Sequence, residues 1–179
     1  MRQQGFTLVE MMVTLFVLAI LLAVAVPSFR EMLLNFQIRA AAEGLNTGLQ
    51  LARAEAIRRN TNVVFTLNEN ATWKIGCQVV VADDDNDGVD DCPEVIQSKE
   101  GVEGAAKVSI EVDPAGAASV TFNGLGRVTY NNDGSNVMRQ IDIDANEGSS
   151  RNLRILIRGG SVHFCDPNVT AAGDPRICA

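Results

Sequence analysis

The hydrophobic pattern divides the chain into three stretches. From position 6 to 26 the residues are apolar, with only Thr7, Glu10 and Thr14 polar. A helix of that length spans about 31 Å at 1.5 Å per residue, close to the core of a bilayer. From 28 to about 59 the spacing changes. Leu34, Ile38, Ala41, Leu45, Leu49, Ala52 and Ala56 recur every three or four residues, opposite Arg39, Glu43, Asn46, Gln50 and Arg53. This spacing predicts a helix that buries one side. Gly44 and Gly48 interrupt it at a cost of about 1 kcal/mol each, tolerable where they let a sheet approach closely. Arg58 and Arg59 suit the negative end of the helix dipole. After Asn60 the pattern becomes strand-like. Candidate strands cover 62–67, 72–81, 94–98, 107–112, 118–122, 127–130, 139–144, 151–158 and 161–165, separated by Gly, Asn, Asp and Pro turns. One long helix followed only by short strands predicts an α+β fold, with the second half of the helix packed on antiparallel sheet.

Composition narrows the function. Of 179 residues, 46% are hydrophobic and 21% charged, the balance of a globular chain and not of a disordered or collagenous one. The net charge of −7 opposes non-specific binding to nucleic acid, whose backbone is also negative. A single His leaves little material for His-based metal sites or His-activated nucleophiles. No P-loop, G-x-S-x-G or zinc spacing is present, and no enzymatic activity or required cofactor is expected. His163 has no Ser or Cys beside it that it would activate, and reads as structural.

The four cysteines form two spaced pairs, Cys77 with Cys92 and Cys165 with Cys178. Neither has the C-x-x-C spacing of zinc or thioredoxin sites. An even count with medium loops suits disulfides in an oxidising compartment. Three connectivities are open, and the two local bridges are favoured. Each would stabilise by roughly 2–4 kcal/mol.

Glu10 is the residue that most needs a reason. A carboxylate within a membrane-spanning segment costs about 2.5–3.5 kcal/mol, and such residues usually have a partner. A discarded signal peptide, for which Ala23-Val24-Ala25 offers a cleavage site, has no use for it. The stretch Gly5-Phe6-Thr7-Leu8-Val9-Glu10 resembles the class III signal of type IV pilins and type II secretion pseudopilins. That resemblance implies cleavage after Gly5 by a prepilin peptidase and N-methylation of Phe6. Glu10 would then stand at the family's glutamate position, pairing with the N-terminal amine of a neighbouring subunit. Pro27 matches the family's proline beyond the spanning part, where a missing backbone donor kinks the helix. Cleavage would also remove Arg2, leaving the mature chain one charge more acidic.

The implied organisation is a leader at 1–5, a transmembrane and filament-core helix at 6–27, and a pilin-like globular part at 28–179. Arg2 before the apolar run keeps that end cytoplasmic. The chain is then expected in a bacterial inner membrane with its globular part periplasmic, and later in a pilus or pseudopilus. Its partners would be other pilin subunits, met through the N-terminal helix. Further along, the run from Thr72 to Val81 with the Asp-rich turn after it resembles the H-type pseudopilin and minor pilin domain. The family usually has an aromatic residue after the glycine at Gly76; this chain has Cys77, as expected if that cysteine closes the acidic loop through Cys92.

That loop, Asp83-Asp84-Asp85-Asn86-Asp87-Gly88-Val89-Asp90-Asp91-Cys92-Pro93-Glu94, fits the calcium-loop template. Asp83, Asp85, Asp87, Asp91 and Glu94 are the candidate ligands. The flanks are strand-like and Pro93 is stiff, so a bare acidic turn is the favoured reading over calcium. In the strand at 151–158, Leu153, Ile155 and Ile157 share a core face, and Arg154, Leu156 and Arg158 share the other, which would carry a small basic patch. DNA-uptake minor pilins carry a Gly-Arg-x-Arg motif near this point. Here the equivalent is Gly160-Ser161-Val162-His163, without either arginine, which argues against DNA binding through Arg154 and Arg158.

Three roles remain: a structural minor pilin that starts or links type IV pilus assembly, an H-type pseudopilin of type II secretion, and a DNA receptor. The Cys165–Cys178 end resembles the closed C-terminal loop of type IV pilins and favours the first. The calcium alternative predicts that millimolar calcium raises the melting temperature of the globular part and that chelator reverses the shift. A melting curve indifferent to both leaves the bare turn.

Overall fold

The computed structural model describes residues 7–82, 91–99, 108–145 and 152–178. One α-helix, α1 (Leu8–Arg59), runs for 52 residues, about 78 Å. It passes the expected boundary at Pro27 without interruption. Asn60 closes the helix in the left-handed region (φ 49°, ψ 39°), its backbone N–H donating to the carbonyls of Ala56 and Ile57. Asparagine tolerates that conformation better than most residues.

Nine strands follow among the described residues. They are β1 (Val63–Leu67), β2 (Trp73–Cys77), β3 (Gln97–Lys99), β4 (Val108–Asp113), β5 (Ser119–Phe122), β6 (Val128–Thr129), β7 (Gln140–Ala145), β8 (Leu153–Arg158) and β9 (Ser161–Cys165). They build two sheets, in the orders β3-β2-β1-β5-β6 and β4-β7-β8-β9, with antiparallel neighbours throughout. All nine strands expected from the sequence occur, displaced by up to four residues at their ends.

The largest displacement is in β2, which stops at Cys77 and not at 81. Its partner β1 begins at Val63, opposite Cys77, so the valines at 79–81 have run past the sheet. Only Val81 regains a partner, in an isolated bridge to Cys92. All three are exposed.

The core is the helix stripe laid on both sheets. Ile38, Ala41, Leu45, Leu49, Ala52 and Ala56 are buried against Phe65, Ile75, Phe122, Ile141 and Ile155. Small residues dominate the stripe, so the sheets come close. A Cβ on Gly48 would lie 2.8 Å from ring atoms of both Phe65 and Trp73, whose centroids are 5.9 Å apart. At Gly76 the approach is closer: an added Cβ would sit inside the carbonyl of Glu94, where the chain crosses β2. The Cys77 N–H donates to the Pro93 carbonyl and the Ile96 N–H to the Ile75 carbonyl, which holds the crossing in place.

The two helical glycines should therefore respond oppositely to alanine. At Gly44 the added Cβ meets only the flexible end of Lys99. Gly44→Ala should gain up to about 1 kcal/mol in urea unfolding through helix propensity. Gly48→Ala should lose about 1–3 kcal/mol, because two packed rings cannot withdraw cheaply.

Candidate assembly interface

The first half of α1 has no protein around it. Every residue from Thr7 to Leu33 is exposed, and the segment is long and apolar enough to cross a membrane. The one carboxylate below Pro27, Glu10, sits at a particular place. Thr7 is the N-cap, its hydroxyl accepting the Glu10 N–H at 3.2 Å. Glu10 thus occupies the third helical position, where the positive end of the helix dipole favours an anion. The Thr-x-x-Glu spacing carries this signal in the sequence. Gly5 and Phe6 lie outside the described residues.

Above Pro27 the apolar surface continues. Phe29, Met32, Leu33 and Phe36 are exposed, pointing away from the stripe that packs on the sheets. Beside them is a groove of about 610 Å³ between α1 and the lower edge of β8 and β9. Met32, Phe36, Leu153 and Phe164 give it an apolar floor. Glu31, Arg39, Asp166 and Arg176 give it a charged rim. Two of the rim cations are already paired, Arg39 with Glu43 at 2.7 Å and Arg176 with Asp174 at 2.8 Å.

Disulfides close two loops of the globular part. Cys165 joins Cys178 with Cα atoms 5.2 Å apart, and the C-terminal segment is tied to β9 by the Asp166 N–H donating to the Arg176 carbonyl. Cys77 joins Cys92 with Cα atoms 5.6 Å apart, at the other end of the molecule. Of the proposed calcium ligands, Asp83, Asp85 and Asp87 lie outside the described residues. Asp91 and Glu94 are described and exposed. The Asp91 carbonyl accepts from Arg59, and the Glu94 carboxylate meets Lys74 at 3.4 Å. Among the described residues no group of three or more His, Cys, Asp or Glu side chains could hold a metal.

The β8 arginines are not a free basic patch. Arg154 is half-buried and donates to Asp142, its cross-strand neighbour on β7, at 2.5 Å. Leu156, expected on the outer face with them, is buried between Gln140 and His163 of the adjacent strands. Arg158 is exposed at the strand end. His163 is exposed on β9, its Nε2 3.4 Å from the Ile177 carbonyl.

Residues 41–169 match the family model of the type II transport protein GspH. The chain belongs to the GspH family. Residues 1–26 match the prokaryotic N-terminal methylation motif. That motif and the apolar helix fit a pilin anchored in the inner membrane. The type IV minor pilin FimU of Pseudomonas aeruginosa strain PAO1 shares the fold at 20% identity, over 70% of this chain and 85% of that one, with a TM-score of 0.51. The solution structure of GspH from E. coli is 14% identical over 74% of this chain and 89% of that one, with a TM-score of 0.45. No curated protein matches the sequence. The chain is thus a minor pilin or pseudopilin of the type IV pilus and type II secretion family. The family is one of structural subunits, whose members assemble with other pilin or pseudopilin subunits.

Asp174 and Glu55 are among the carboxylates of the globular part held below their ordinary range. Hydrogen bonds from Arg176 bring Asp174 from 3.8 to about 2. A hydrogen bond from Arg58 leads in lowering Glu55, with Arg59 adding to it against the opposing effect of burial. A carboxylate depressed by folding stabilises fully above its unfolded pKa and loses that contribution as pH falls through the folded value. The Asp174 contribution is therefore complete above pH 3.8 and lost towards pH 2. Asp174→Asn should flatten the acid limb of the stability–pH curve over that window, measured by thermal melts.

Proposed function

We propose that this chain is a structural minor pilin that helps to start or link assembly of a type IV pilus. Cleavage after Gly5 leaves Phe6 as a methylated N-terminus, produced by a prepilin peptidase. The segment 6–27 anchors the subunit in the inner membrane, with 28–179 in the periplasm, until the stem leaves lipid for a bundle of other subunits' stems. There Glu10 pairs with a neighbour's terminal amine, each charge offsetting the other's desolvation. The observation that carries this reading is the division of α1: below Pro27 it is fully exposed and apolar around one carboxylate, Glu10, and above Leu33 it buries one face in its own domain. The loop closed by Cys165 and Cys178 supports the pilus over the secretion machinery. The second reading, an H-type pseudopilin of type II secretion, is favoured by the family match over residues 41–169. The arginines of β8 enter neither reading, since Arg154 is neutralised by Asp142.

Removing one partner of a buried ion pair costs about 3–5 kcal/mol, more than a hundredfold in association. Glu10→Ala should therefore leave membrane insertion intact and abolish incorporation into filaments, read by immunoblot of sheared pili. N-terminal sequencing of the native protein should begin at methylated Phe6. A start at Met1, or normal incorporation of the Glu10 variant, overturns the reading.

A further inference from the structure

The groove beside α1 opens onto the membrane-spanning surface. Its helix wall is the ladder Ser28, Glu31, Met32, Asn35, Phe36 and Arg39. A second hollow of about 490 Å³ lies directly below. It is lined by Leu22, Ala25, Val26 and Phe29, and shares Ser28 and Met32 with the first. Together they make one apolar track. It starts within the spanning segment and ends on Leu153, the first residue of β8, and Phe164, near the end of β9.

The upper part of this track stands clear of an ordinary bilayer. Phe36 lies ten residues above Val26, roughly 15 Å along the helix. A headgroup layer is only about 5–8 Å deep on each side of the hydrocarbon core. Phe36 is nevertheless 62% exposed and Met32 45%. Apolar side chains at that height face water unless something is drawn up to them. The groove volume of about 610 Å³ falls within the roughly 300–1,000 Å³ of sites that enclose a compact apolar ligand.

The rim selects the charge of that ligand. Arg39 and Arg176 are neutralised by Glu43 and Asp174. Asp166 accepts the Asn168 N–H. Glu31 is exposed and has no ion-pair partner among the described residues. It stands roughly 7.5 Å above Val26, at the depth of headgroups. A carboxylate left over there attracts an ammonium group and repels an anionic head. The stem of another copy would cover the track without meeting that charge, since Phe6–Val26 contains no Lys or Arg.

We propose that the track holds one phospholipid of the surrounding membrane, with an ammonium headgroup of the phosphatidylethanolamine type. One acyl chain is drawn up over Met32 and Phe36 to Leu153 and Phe164. The other stays in the bilayer along Leu22 and Val26, and the ammonium meets Glu31. The site rests on the reading of 6–27 as a membrane anchor, and adds to it a lipid contact at the foot of the globular part.

The test is fluorescence quenching of the full-length chain carrying Phe36→Trp, in bilayers of phosphatidylethanolamine and phosphatidylglycerol in equal amounts. Bromine on the acyl chains of one lipid or the other quenches an indole that it touches. Brominated phosphatidylethanolamine should quench the introduced indole about threefold more than brominated phosphatidylglycerol, the discrimination of one exposed ion pair. Trp73 is 3% exposed in the core, so its emission in the unsubstituted chain is the background. Glu31→Lys should reverse the preference. Leu125→Trp should stay bright with either lipid, because the turn between β5 and β6 lies against Ile57, at the far end of α1. An indole at position 36 that stays bright overturns the proposal. So does quenching without preference for phosphatidylethanolamine, or equal quenching at position 125. The readings fail separately. A chain that floats with the vesicles but keeps position 36 bright loses only the lipid site, and one that does not float loses the membrane anchor too. Quenching in a chain that assembles without Glu10 loses only the stem pairing.

Discussion

One helix has to satisfy two surroundings. Its lower half presents apolar side chains on all sides and must be covered by lipid or by other helices. Its upper half presents a narrow stripe of small and aliphatic residues to two sheets. The helix continues between the halves, because a proline at position 27 removes a single donor and not the helix. The fold therefore cannot be separated into an anchor and a domain joined by a linker. The element that carries the core also carries the membrane-spanning surface, so a load on one is transmitted directly to the other.

Close approach makes the upper half possible. Gly48 accepts the rings of Phe65 and Trp73, and the alanines at 41, 42, 52 and 56 keep the stripe shallow. Seven of the nine strands can then reach one helix from two sheets. The disulfides work on the periphery of this core. One holds the crossing beside Gly76, where no side chain fits. The other holds the C-terminal segment beside β9, forming one wall of the groove above the stem. Each staples an irregular segment that the hydrophobic core alone does not order.

Most of this was legible in the sequence, for a physical reason. The periods of 3.6 and 2 are direct projections of helix and strand geometry, so the stripe from Ile38 to Ala56 and all nine strands could be read from spacing. The need for glycine at 48 was visible as a propensity defect in an otherwise good helix. Two features were misread. The run of valines at 79–81 has strand character without a neighbour to pair with. Alternation along β8 failed at Leu156, which the flanking strands cover.

By itself, the sequence determined the elements and the apolar stem with its single acid, because these depend on local composition and on the energetics of transfer between water and lipid. It also determined the membership of the family, since residues 41–169 carry its pattern. The tertiary structure alone decided which charges are satisfied and where the remaining apolar surface lies. Arg154 became a paired side chain only when β7 was laid beside β8. The groove exists only because the last strands end against the helix, and the exposed valines at 79–81 only because the chain after β2 runs past the end of β1. Those outcomes depend on register and on distances between residues far apart in the chain, which no local pattern encodes.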